Sequence, residues 1–479
     1  MRKLNFSNIL LIFSVFCAAT TIAASAQTIS TLVNFNGTNG YQPGSPLVQS
    51  TDGNFYGVTY YGGTPTSCPL GGGYNCGTVF KMTAAGELTT LYNFCTQAKC
   101  SDGGNPDSLI QASDGNFYGT TFIGGASTAY CNGCGTIFRI TPSGNLTTLH
   151  TFCLQAGCTD GEKPDELIQA TDGNFYGVAS LGGAYHNGSV FELTAAGKFK
   201  TLYDFCAQTN CPDGGLPVSL MQASDGNLYG TTYYSGAYNG GTLFQITLGG
   251  KLTTLFSLHK PNSLIQGSDG ALYGTTGAGG NADHGIVFRV SPAGKLTTLH
   301  SFCGLNCATG DSPGAGVIEG SDGNLYGSAG LAGLTYYAGA LFEITSSGAF
   351  HTLYLFCSLD NCFDGWGPGQ LMQATSGTFY GTTSGGGTSN HGTVYTLSEG
   401  LSPFVSARPS FGAAGQSITI LGNNLTGATS VTFNGTPATF TVVSDTYIQV
   451  TVPAGATTGS IQVTLSSGML FSNLPFRIP

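Results

Sequence analysis

A short stretch that recurs along this chain limits what the chain can fold into. Residues 109–121 read Leu-Ile-Gln-Ala-Ser-Asp-Gly-Asn-Phe-Tyr-Gly-Thr-Thr, and two apolar runs flanking an Asp-Gly pair are the strongest short-range signal for a tight β-hairpin. The aspartate of this stretch occurs in six copies: Asp52, Asp114, Asp172, Asp225, Asp269 and Asp322. A seventh copy carries Ser376-Gly377 instead, and successive copies are 62, 58, 53, 44, 53 and 54 residues apart. Such a period indicates a repeat array rather than one globular core.

The first 26 residues have the pattern of a secretory signal peptide. Arg2 and Lys3 form a basic start, residues 9–16 are apolar, and Ala-Ser-Ala at 24–26 predicts cleavage before Gln27. No later stretch approaches the roughly 20 apolar residues that a membrane-spanning helix needs. We therefore predict an exported protein without a membrane span that is secreted, periplasmic or on the cell surface.

Charged residues are sparse and mostly acidic. The chain has 14 lysines and arginines against 24 aspartates and glutamates, a formal net charge of −10. Nucleic acid is therefore not an expected partner, because phosphate binding needs clusters of basic side chains. The sequence leaves the oligomeric state open.

The cysteines fit an oxidising compartment. Of 15 cysteines, Cys17 falls in the signal peptide and an even number remains. Spacing pairs the remaining cysteines locally as Cys68/Cys76, Cys95/Cys100, Cys131/Cys134, Cys153/Cys158, Cys206/Cys211, Cys303/Cys307 and Cys357/Cys362. We predict these pairs as disulfides that close short loops. The alternative for Cys131 and Cys134, a zinc or redox motif, lacks a second CxxC.

One repeat unit predicts four short strands. In the second copy they are strand a at 109–112, strand b at 117–122, strand c at 135–141 and strand d at 146–152. Four antiparallel strands per unit in seven units are typical of a β-propeller. The chain offers seven strand-d segments, but the first (29–35) precedes any a–c unit and the last a–c unit (371–397) has no strand d after it. We therefore expect an all-β, seven-bladed propeller over residues 27–400 that is closed by the N-terminal strand, since such closure removes exposed sheet edges.

The repeat stops near residue 401. Residues 401–479 contain no cysteine and read as short alternating strands at 417–421, 430–433, 439–443, 447–452 and 460–465. Their number and spacing predict an Ig-like β-sandwich as a second domain.

Two family resemblances support this division. The phrases Phe-Tyr-Gly-Thr-Thr, Gly-Thr-(Val/Ile)-Phe and Gly-x-Leu-Thr-Thr-Leu, recurring through 27–398, resemble the GloVer tandem-repeat family of exported bacterial proteins. The resemblance implies export and display rather than a particular reaction. Residues 427–463, with Val-Thr-Phe-Asn-Gly at 431–435 and Val-Pro-Ala-Gly at 452–455, resemble an IPT/TIG domain. That resemblance implies an Ig-like module that mediates contacts or acts as a spacer.

Strand alternation sorts the loops into two faces. The a–b and c–d turns lie on one face, here called the turn face, and the b–c loops and the d–a cysteine loops lie on the other, the Cys-loop face. The Cys-loop face varies in length and is rich in aromatic residues, so we predict that it carries function. The predicted binding residues are Tyr60, Tyr61, Tyr130, Tyr185, Tyr233, Tyr234, Tyr336, Tyr337 and Trp366. Such rings suit stacking on sugars or contact with a protein. The alternative is that they pack between neighbouring sheets.

Strand a carries a second pattern. Gln49, Gln111, Gln169, Gln222, Gln266 and Gln373 share one position, which Glu319 occupies in the sixth copy. A structural role for these amides competes with a ligand-binding role. Glu319 is the single catalytic candidate. Aspartates after the cysteine loops could offer oxygens to calcium, although a dense D-x-D-x-D loop is absent, so no cofactor is expected.

These observations lead to three functional hypotheses. The leading one is a non-enzymatic binding or adhesion protein that recognises a glycan or a surface protein through the Cys-loop face. The second is a carbohydrate-active hydrolase or lyase with its site at the propeller channel, and the third is a structural surface component. Few non-turn acids are available for catalysis, among them Glu162, Asp165 and Glu166.

Overall fold

The computed structural model describes residues 28–64, 68, 76–125, 133–303, 311–330 and 338–478. Five residues of the predicted sites lie outside these ranges, as does the predicted signal peptide: Tyr130, Cys131, Cys307, Tyr336 and Tyr337. Within the described ranges the chain is all-β, with three short 3-10 helices at Ala98–Cys100, Asp360–Cys362 and Leu425–Gly427. No helix among these residues has the length and apolar character to cross a membrane.

Short strands follow one another through the repeat region. In chain order they are β1 (Thr28–Asn34), β2 (Val48–Gln49), β3 (Phe55–Thr59), β4 (Thr78–Met82), β5 (Leu88–Asn93), β6 (Gly104–Gln111), β7 (Phe117–Ile123), β8 (Thr136–Ile140), β9 (Leu146–Thr151), β10 (Glu162–Gln169), β11 (Phe175–Leu181), β12 (Ser189–Leu193), β13 (Phe199–Asp204), β14 (Gly215–Gln222), β15 (Leu228–Tyr234), β16 (Thr242–Ile246), β17 (Leu252–Ser257), β18 (Pro261–Gln266), β19 (Leu272–Thr276), β20 (Ile286–Val290), β21 (Leu296–Ser301), β22 (Val317–Glu319), β23 (Leu325–Ala329), β24 (Ala340–Ile344), β25 (Phe350–Leu355), β26 (Trp366–Pro368), β27 (Met372–Gln373), β28 (Phe379–Gly385) and β29 (Thr393–Ser398).

These strands form antiparallel sheets, one for each repeat. Sheets 1 to 6 each contain four consecutive strands, from β2–β5 in sheet 1 to β22–β25 in sheet 6. In sheet 7 the strand order is β1-β29-β28-β26, and β27 also pairs with β28. The N-terminal strand β1 therefore takes the strand-d place beside β29, with Ile29 opposite Leu397.

Strand a is longer than the sequence predicts. In the second repeat it begins at Gly104 rather than near residue 109, and its pairing register with β7 shifts between Pro106 and Ser108. The same shift follows Pro164, Pro217 and Pro261 in sheets 3, 4 and 5. A β-bulge of this kind bends the strand and redirects its side chains. Proline is tolerated there because a bulge residue need not donate to the ladder.

A repeated hydrogen bond joins each sheet to the preceding one. The side-chain oxygen of the strand-a glutamine accepts from a backbone N–H in the turn of the preceding sheet, for example Gln222 Oε1 from Thr171 at 2.9 Å. Equivalent bonds join Gln111 to Thr51, Gln169 to Ser113, Gln266 to Ser224, Glu319 to Ser268 and Gln373 to Ser321. Gln49 of sheet 1 makes the same bond to Thr375 of sheet 7 at 3.0 Å. The pattern thus extends from the first sheet to the last.

The C-terminal region forms two further four-stranded sheets. Its strands are β30 (Ser406–Arg408), β31 (Ser417–Leu421), β32 (Ala428–Phe433), β33 (Thr436–Pro437), β34 (Phe440–Val442), β35 (Tyr447–Thr451), β36 (Ile461–Leu465) and β37 (Gly468–Phe471). One sheet has the order β30-β31-β35-β34 and the other β33-β32-β36-β37. Both contribute to one core, in which Ile420 and Ile448 of the first sheet meet Val431 and Val463 of the second.

The C-terminal region contacts the turn face of the repeat region. Arg477 donates from a guanidinium nitrogen to the carbonyl oxygen of Gly267 at 2.6 Å, and Arg408 donates to that of Gln49 at 2.8 Å. Asn423 donates to the hydroxyl of Thr375 at 2.9 Å. Since Gln49 and Thr375 are themselves bonded, the C-terminal region contacts both partners of the bond between sheets 1 and 7.

We expect Gln222→Ala to lower the free energy of unfolding by about 1–3 kcal/mol, since it leaves the Thr171 N–H and the Gly226 carbonyl without their side-chain partner. Denaturant unfolding followed by circular dichroism measures the change. The matched control is Gln208→Ala, which removes an exposed glutamine side chain from a loop. Equal losses in the two variants would show that the amide contributes nothing specific.

Candidate functional site

The bulged residues of strand a line a cavity of about 390 Å³. All seven repeats contribute to its wall, through strand a or the segment next to it. The polar lining consists of Ser45, Asp107, Ser108, Asp165, Glu166, Tyr233, Asn262, Ser263 and Gln370. Because these residues precede the glutamine position and follow the cysteine loops, the cavity lies toward the Cys-loop face.

Hydrogen bonds between sheets hold the bulges in place. The Thr120 hydroxyl donates to the carbonyl oxygen of Asp165 at 2.6 Å, and the Thr231 hydroxyl donates to that of Asn262 at 2.8 Å. The Ser45 hydroxyl donates to the carbonyl oxygen of Asp107. Each bulge is thus fixed by a residue of the preceding sheet, which gives the side chains beside it a defined direction.

Two carboxyl groups from neighbouring sheets are bonded to each other. Asp107 and Asp165 lie deep in the molecule and share a side-chain hydrogen bond, which requires a proton between them. Burial raises the pKa of both groups, and the charge of Asp107 raises the pKa of Asp165 further. The proton is used in this mutual hydrogen bond, so the remaining carboxyl oxygens offer acceptors to the cavity.

Glu166 is the third carboxyl group of the cavity. Burial raises its pKa to about 7, even though hydrogen bonds from the backbone N–H of Leu220 and the side chain of Ser219 act in the opposite direction. The Leu220 bond is 2.8 Å long and ties Glu166 to the neighbouring sheet. Near neutral pH this carboxyl can therefore both accept and donate a proton.

Aromatic rings stand at the edge of the cavity, where strand b ends. Tyr233 lines the cavity and has the ammonium of Lys260 5.7 Å from its ring centroid. Phe122 occupies the same position of the second repeat, with the ammonium of Lys163 at 4.7 Å and the ring of Tyr60 at 6.1 Å. Burial raises the pKa of Tyr60, and the nearby Tyr61, Asp107 and Asp165 raise it further.

The cavity wall is strongly asymmetric between repeats. At the strand-b end, repeats 1, 2 and 4 carry aromatic residues, whereas the other repeats carry small ones: Ser180, Gly277, Gly330 and Ser384. At the bulge, the side chains of sheets 2, 3 and 5 are acidic or polar, but sheet 6 presents Gly314 and Ala315. A Cβ atom added to Gly314 would meet nothing within 4 Å. Sheet 6 therefore leaves room in front of the polar wall.

The remaining predicted aromatic residues are spread over the Cys-loop face. Tyr61 packs against Tyr60, with ring centroids 4.8 Å apart, and Tyr234 packs against Tyr233 at 4.9 Å. Tyr185 is exposed in its loop. Trp366 lies in β26 and donates from its indole nitrogen to Asn390 Oδ1 at 3.1 Å, and it does not line the cavity. Of the predicted rings, the structure thus places Tyr233 in the cavity wall with Tyr234 packed against it, and Tyr60 near the lining residues Asp107 and Asp165.

Glu319 occupies the glutamine position on the turn-face side of its strand. Its carboxylate accepts hydrogen bonds from the backbone N–H and the hydroxyl of Ser268. The aspartates that were considered for calcium hold the cysteine loops: Asp102 accepts from the Tyr92 hydroxyl at 2.8 Å, and Asp213 accepts from the Cys206 N–H at 2.9 Å.

The predicted cysteine pairs form disulfides wherever both partners are described. These are Cys68–Cys76, Cys95–Cys100, Cys153–Cys158, Cys206–Cys211 and Cys357–Cys362. Cys134 and Cys303 are also disulfide-bonded, and their predicted partners lie outside the described residues. So many disulfides are typical of an extracellular or periplasmic protein.

Sequence reasoning missed four residues of the site: Asp107, Lys163, Asn262 and Lys260. A usable signal was present, because aligning the repeats on their strand-a leucine puts Asp107 and Asp165 at one position of adjacent copies. That position is uniform in neither charge nor size across the repeats, which conceals it in a search for recurring motifs.

Comparison with known families identifies the repeat. The family model described as the Gloeobacter/Verrucomicrobia repeat matches residues 18–157, 65–263 and 257–441. The chain belongs to this repeat family. The matches of the Gloeobacter/Verrucomicrobia repeat extend past residue 400, into the region that the sequence assigns to a second domain. No curated protein sequence matches the chain.

Solved structures similar to this member of the Gloeobacter/Verrucomicrobia repeat family have propeller-like folds. A catalytically inactive virginiamycin B lyase from Staphylococcus aureus with quinupristin aligns with a TM-score of 0.50 and 14% identity, over 78% of this chain and 99% of that one. The extracellular domain of a putative one component system from B. thetaiotaomicron aligns with a TM-score of 0.50 and 11% identity, over 95% of this chain and 58% of that one. At these identities the likeness extends to the fold alone.

We expect the free energy of unfolding to decrease as the pH rises from about 4.5 to 7. A carboxyl whose pKa is raised on folding binds more protons in the folded chain than in the unfolded one, so its contribution is full below its unfolded pKa and is lost as the pH rises through its folded pKa. Glu166→Gln should remove its share of this slope, up to about 3 kcal/mol.

Urea unfolding at several pH values measures this slope. The exposed Glu87→Gln is the control and should leave the slope unchanged. Asp52 acts in the opposite direction: burial would raise its pKa, but hydrogen bonds from Lys81, Asn54 and Tyr56 lower it to about 2. Its contribution to the free energy of unfolding is full above its unfolded pKa, so it does not change between pH 4.5 and 7. An unchanged slope in Glu166→Gln would contradict a raised Glu166 pKa.

Proposed function

We propose that this protein is an exported, seven-bladed β-propeller over residues 27–400 with an Ig-like IPT/TIG domain at 401–479, and that it binds a glycan without transforming it. The glycan would enter the cavity from the Cys-loop face. The protein would act in the periplasm, on the cell surface or outside the cell. The observation that carries this proposal is the asymmetric polar wall of the cavity.

The links between sheets 1 and 7 support a closed propeller. Strand β1 pairs with β29, and the Gln49–Thr375 bond repeats the bond between the other sheets. The rings of Phe55 and Tyr380, from sheets 1 and 7, stack at 4.1 Å, as those of Tyr56 and Phe117 do between sheets 1 and 2. The two C-terminal sheets with their shared core support the Ig-like sandwich.

Where the side chains differ between repeats, the scaffold does not require a particular residue. A structural wall would be satisfied by small residues, as in sheet 6, whereas sheets 2, 3 and 5 place Asp107, Asp165, Glu166 and Asn262 there. Burying carboxyl and amide groups costs free energy unless they are hydrogen-bonded. A polar wall in a wide cavity therefore suits a ligand that supplies further hydrogen bonds.

The chemistry of the wall suits sugar hydroxyls. A sugar hydroxyl can donate to the free oxygens of the Asp107–Asp165 pair, and it can donate to or accept from Glu166, which is partly protonated near neutral pH. The Asn262 amide nitrogen already donates to Thr275 and Pro313, so the amide offers its oxygen as an acceptor. Ser263 Oγ is buried and has no hydrogen-bond partner among the described residues. Tyr233 offers an apolar ring beside these groups. A volume of about 390 Å³ accommodates a small ligand or the end of a larger one.

We expect Gly314→Phe to abolish glycan retention, because an added Cβ there meets no atom within 4 Å and the ring attached to it would fill the open side of the cavity. Affinity electrophoresis or retention on a panel of immobilised polysaccharides, with oxidised protein lacking residues 1–26, measures binding. Gly249→Phe on the turn face is the matched control, because an added Cβ there meets only the hydroxyl of Thr247, at 3.7 Å.

The outcomes separate the remaining hypotheses. Retention that survives Gly314→Phe but is lost in Tyr185→Ala or Trp366→Ala would move the binding site to the outer part of the Cys-loop face. Absence of retention on every polysaccharide would contradict glycan binding and favour a surface-protein partner or a structural role.

A carbohydrate hydrolase is the second candidate, and the raised pKa of Glu166 favours it. A carboxyl with a pKa of about 7 can protonate the leaving oxygen of a glycosidic bond at neutral pH. The ionised member of the Asp107–Asp165 pair would take a proton from the attacking water, whose oxygen bonds to the anomeric carbon as the glycosidic C–O bond breaks, so that one water is consumed for each bond.

Release of reducing sugar tests this second candidate. If the protein is a hydrolase, Glu166→Gln should reduce release by about 10²-fold or more while retention remains, because the amide keeps its shape but cannot donate the proton. Retention without any release by the parent protein would leave the binding function and exclude the hydrolase for the sugars tested.

A further inference from the structure

We infer that the glycan is acidic and that Lys163 and Lys260 bind its carboxylate groups. This inference rests on the proposed function, because it assigns a ligand class to the same cavity. The inference depends on a set of residues at the Cys-loop face, one in each repeat, that share a backbone conformation but differ in their side chains.

In each repeat, the residue that directly precedes the proline of the strand-a region has the left-handed conformation. These residues are Gln42, Asn105, Lys163, Leu216, Lys260, Ser312 and Gly367, with φ between 45° and 63°. Each donates its backbone N–H to a carbonyl oxygen in the preceding sheet, for example Lys163 to Cys134 at 2.8 Å. The bond uses main-chain atoms only, so the scaffold does not require a particular side chain.

Lysine is a costly choice at such a position. The left-handed conformation costs a residue with a Cβ atom about 1–2 kcal/mol, whereas glycine adopts it freely and asparagine is favoured over most other residues. Asn105 and Gly367 follow that preference. Gln42, Leu216, Ser312, Lys163 and Lys260 do not, and the two lysines are the charged members of the set.

Both lysines are held in the same way, and the ring under Lys260 lines the cavity. The ammonium of Lys163 lies over Phe122 and that of Lys260 over Tyr233, in each case a ring from the end of strand b in the preceding sheet. Such cation–π contacts hold a charge in place without neutralising it. Among the described residues, neither ammonium forms an ion pair with a carboxylate.

Four other basic groups are engaged elsewhere. Lys81 and Arg289 pair with the turn aspartates Asp52 and Asp269, and Arg408 and Arg477 bond to backbone carbonyls under the C-terminal region. In a chain with a net charge of −10, an anionic ligand needs local cations to approach. Lys163 and Lys260 supply two of them at the edge of the cavity, on sheets that flank sheet 4.

The carboxyl groups inside the cavity do not oppose this assignment. The Asp107–Asp165 pair holds a proton and thus carries less charge than two carboxylates, and the pair and Glu166 can bond to sugar hydroxyls. A uronic acid unit presents both features, since its ring bears hydroxyl groups and a single carboxylate. In this arrangement the hydroxyls face the acidic wall and the carboxylate faces the lysines.

Paired polymers test the inference. Polygalacturonate, alginate and hyaluronan are each compared with the same polymer after esterification of its carboxyl groups, and dextran sulfate is compared with dextran. We expect retention of at least one uronate polymer, with binding that weakens as salt is added. The corresponding ester should bind more weakly by a factor of about ten or more.

Charge-removing variants locate the contact. The double variant Lys163→Gln/Lys260→Gln should lose about tenfold in affinity for the acidic polymer, and Lys163→Arg/Lys260→Arg should retain most of it. Lys99→Gln removes an exposed charge from a cysteine loop of the same face and should have little effect. Melting temperatures of all variants verify that they are folded.

Each other result overturns the inference in a recognisable way. Equal binding of a polymer and its ester, or an unaffected double variant, would show that the lysines do not recognise an anion. If neutral polymers bind in a manner that Gly314→Phe abolishes, glycan binding stands and the acidic ligand fails. Preference for dextran sulfate over every uronate polymer would replace the carboxylate with a sulfate ester. If no polysaccharide binds, the proposed function fails together with the inference.

Discussion

The amide at the end of strand a is the contact on which the repeat region depends. Its oxygen accepts from the turn of the preceding sheet, and its nitrogen donates to the glycine carbonyl of its own turn, as in Gln169 with Ser113 and Gly173. Only a side chain that carries both a donor and an acceptor can make the two bonds at once. Every strand-a glutamine except Gln49, whose amide nitrogen donates to the Thr375 hydroxyl, therefore bonds to two turns. This explains why the Asp-Gly turn and the glutamine recur together.

The turn end and the bulge end of strand a differ in how strongly their side chains are conserved between repeats. At the turn end, the aspartate of the turn also accepts from a tyrosine hydroxyl four residues later, as Asp172 does from Tyr176 at 2.8 Å, and the pattern changes little between copies. At the bulge end, the contacts between sheets use main-chain carbonyls, for which Thr120 or Thr231 provides the donor. These main-chain contacts thus do not require a particular residue type at the bulge. A repeat protein can gather a single asymmetric site in this way without changing the rest of its structure.

Much of the architecture could be predicted from the sequence. Strand d of the second repeat, expected at 146–152, is observed at Leu146–Thr151, and the local cysteine pairs follow from their spacing. The length of strand a could not be predicted, because the bulge after Pro106 interrupts the period-two alternation that identifies a strand. The Asp107–Asp165 contact joins residues 58 positions apart, and only the packing of two sheets brings them together. Trp366 stood out in the sequence because it is the only tryptophan, yet its indole bonds to a neighbouring loop.

The C-terminal region bears on which end of the cavity a ligand can enter. Its arginines bond to backbone carbonyls of Gln49 and Gly267, which lie in or next to the glutamine positions. A smaller cavity of about 230 Å³ lies between strand a of sheets 4 and 5 and this region, and Phe411 and Arg477 contribute to its wall. The turn face is therefore covered where the first strands converge. Since the aromatic residues, the two lysines and the bulge carboxyl groups all lie toward the opposite face, a ligand approaching from there would meet these groups before any part of the C-terminal region.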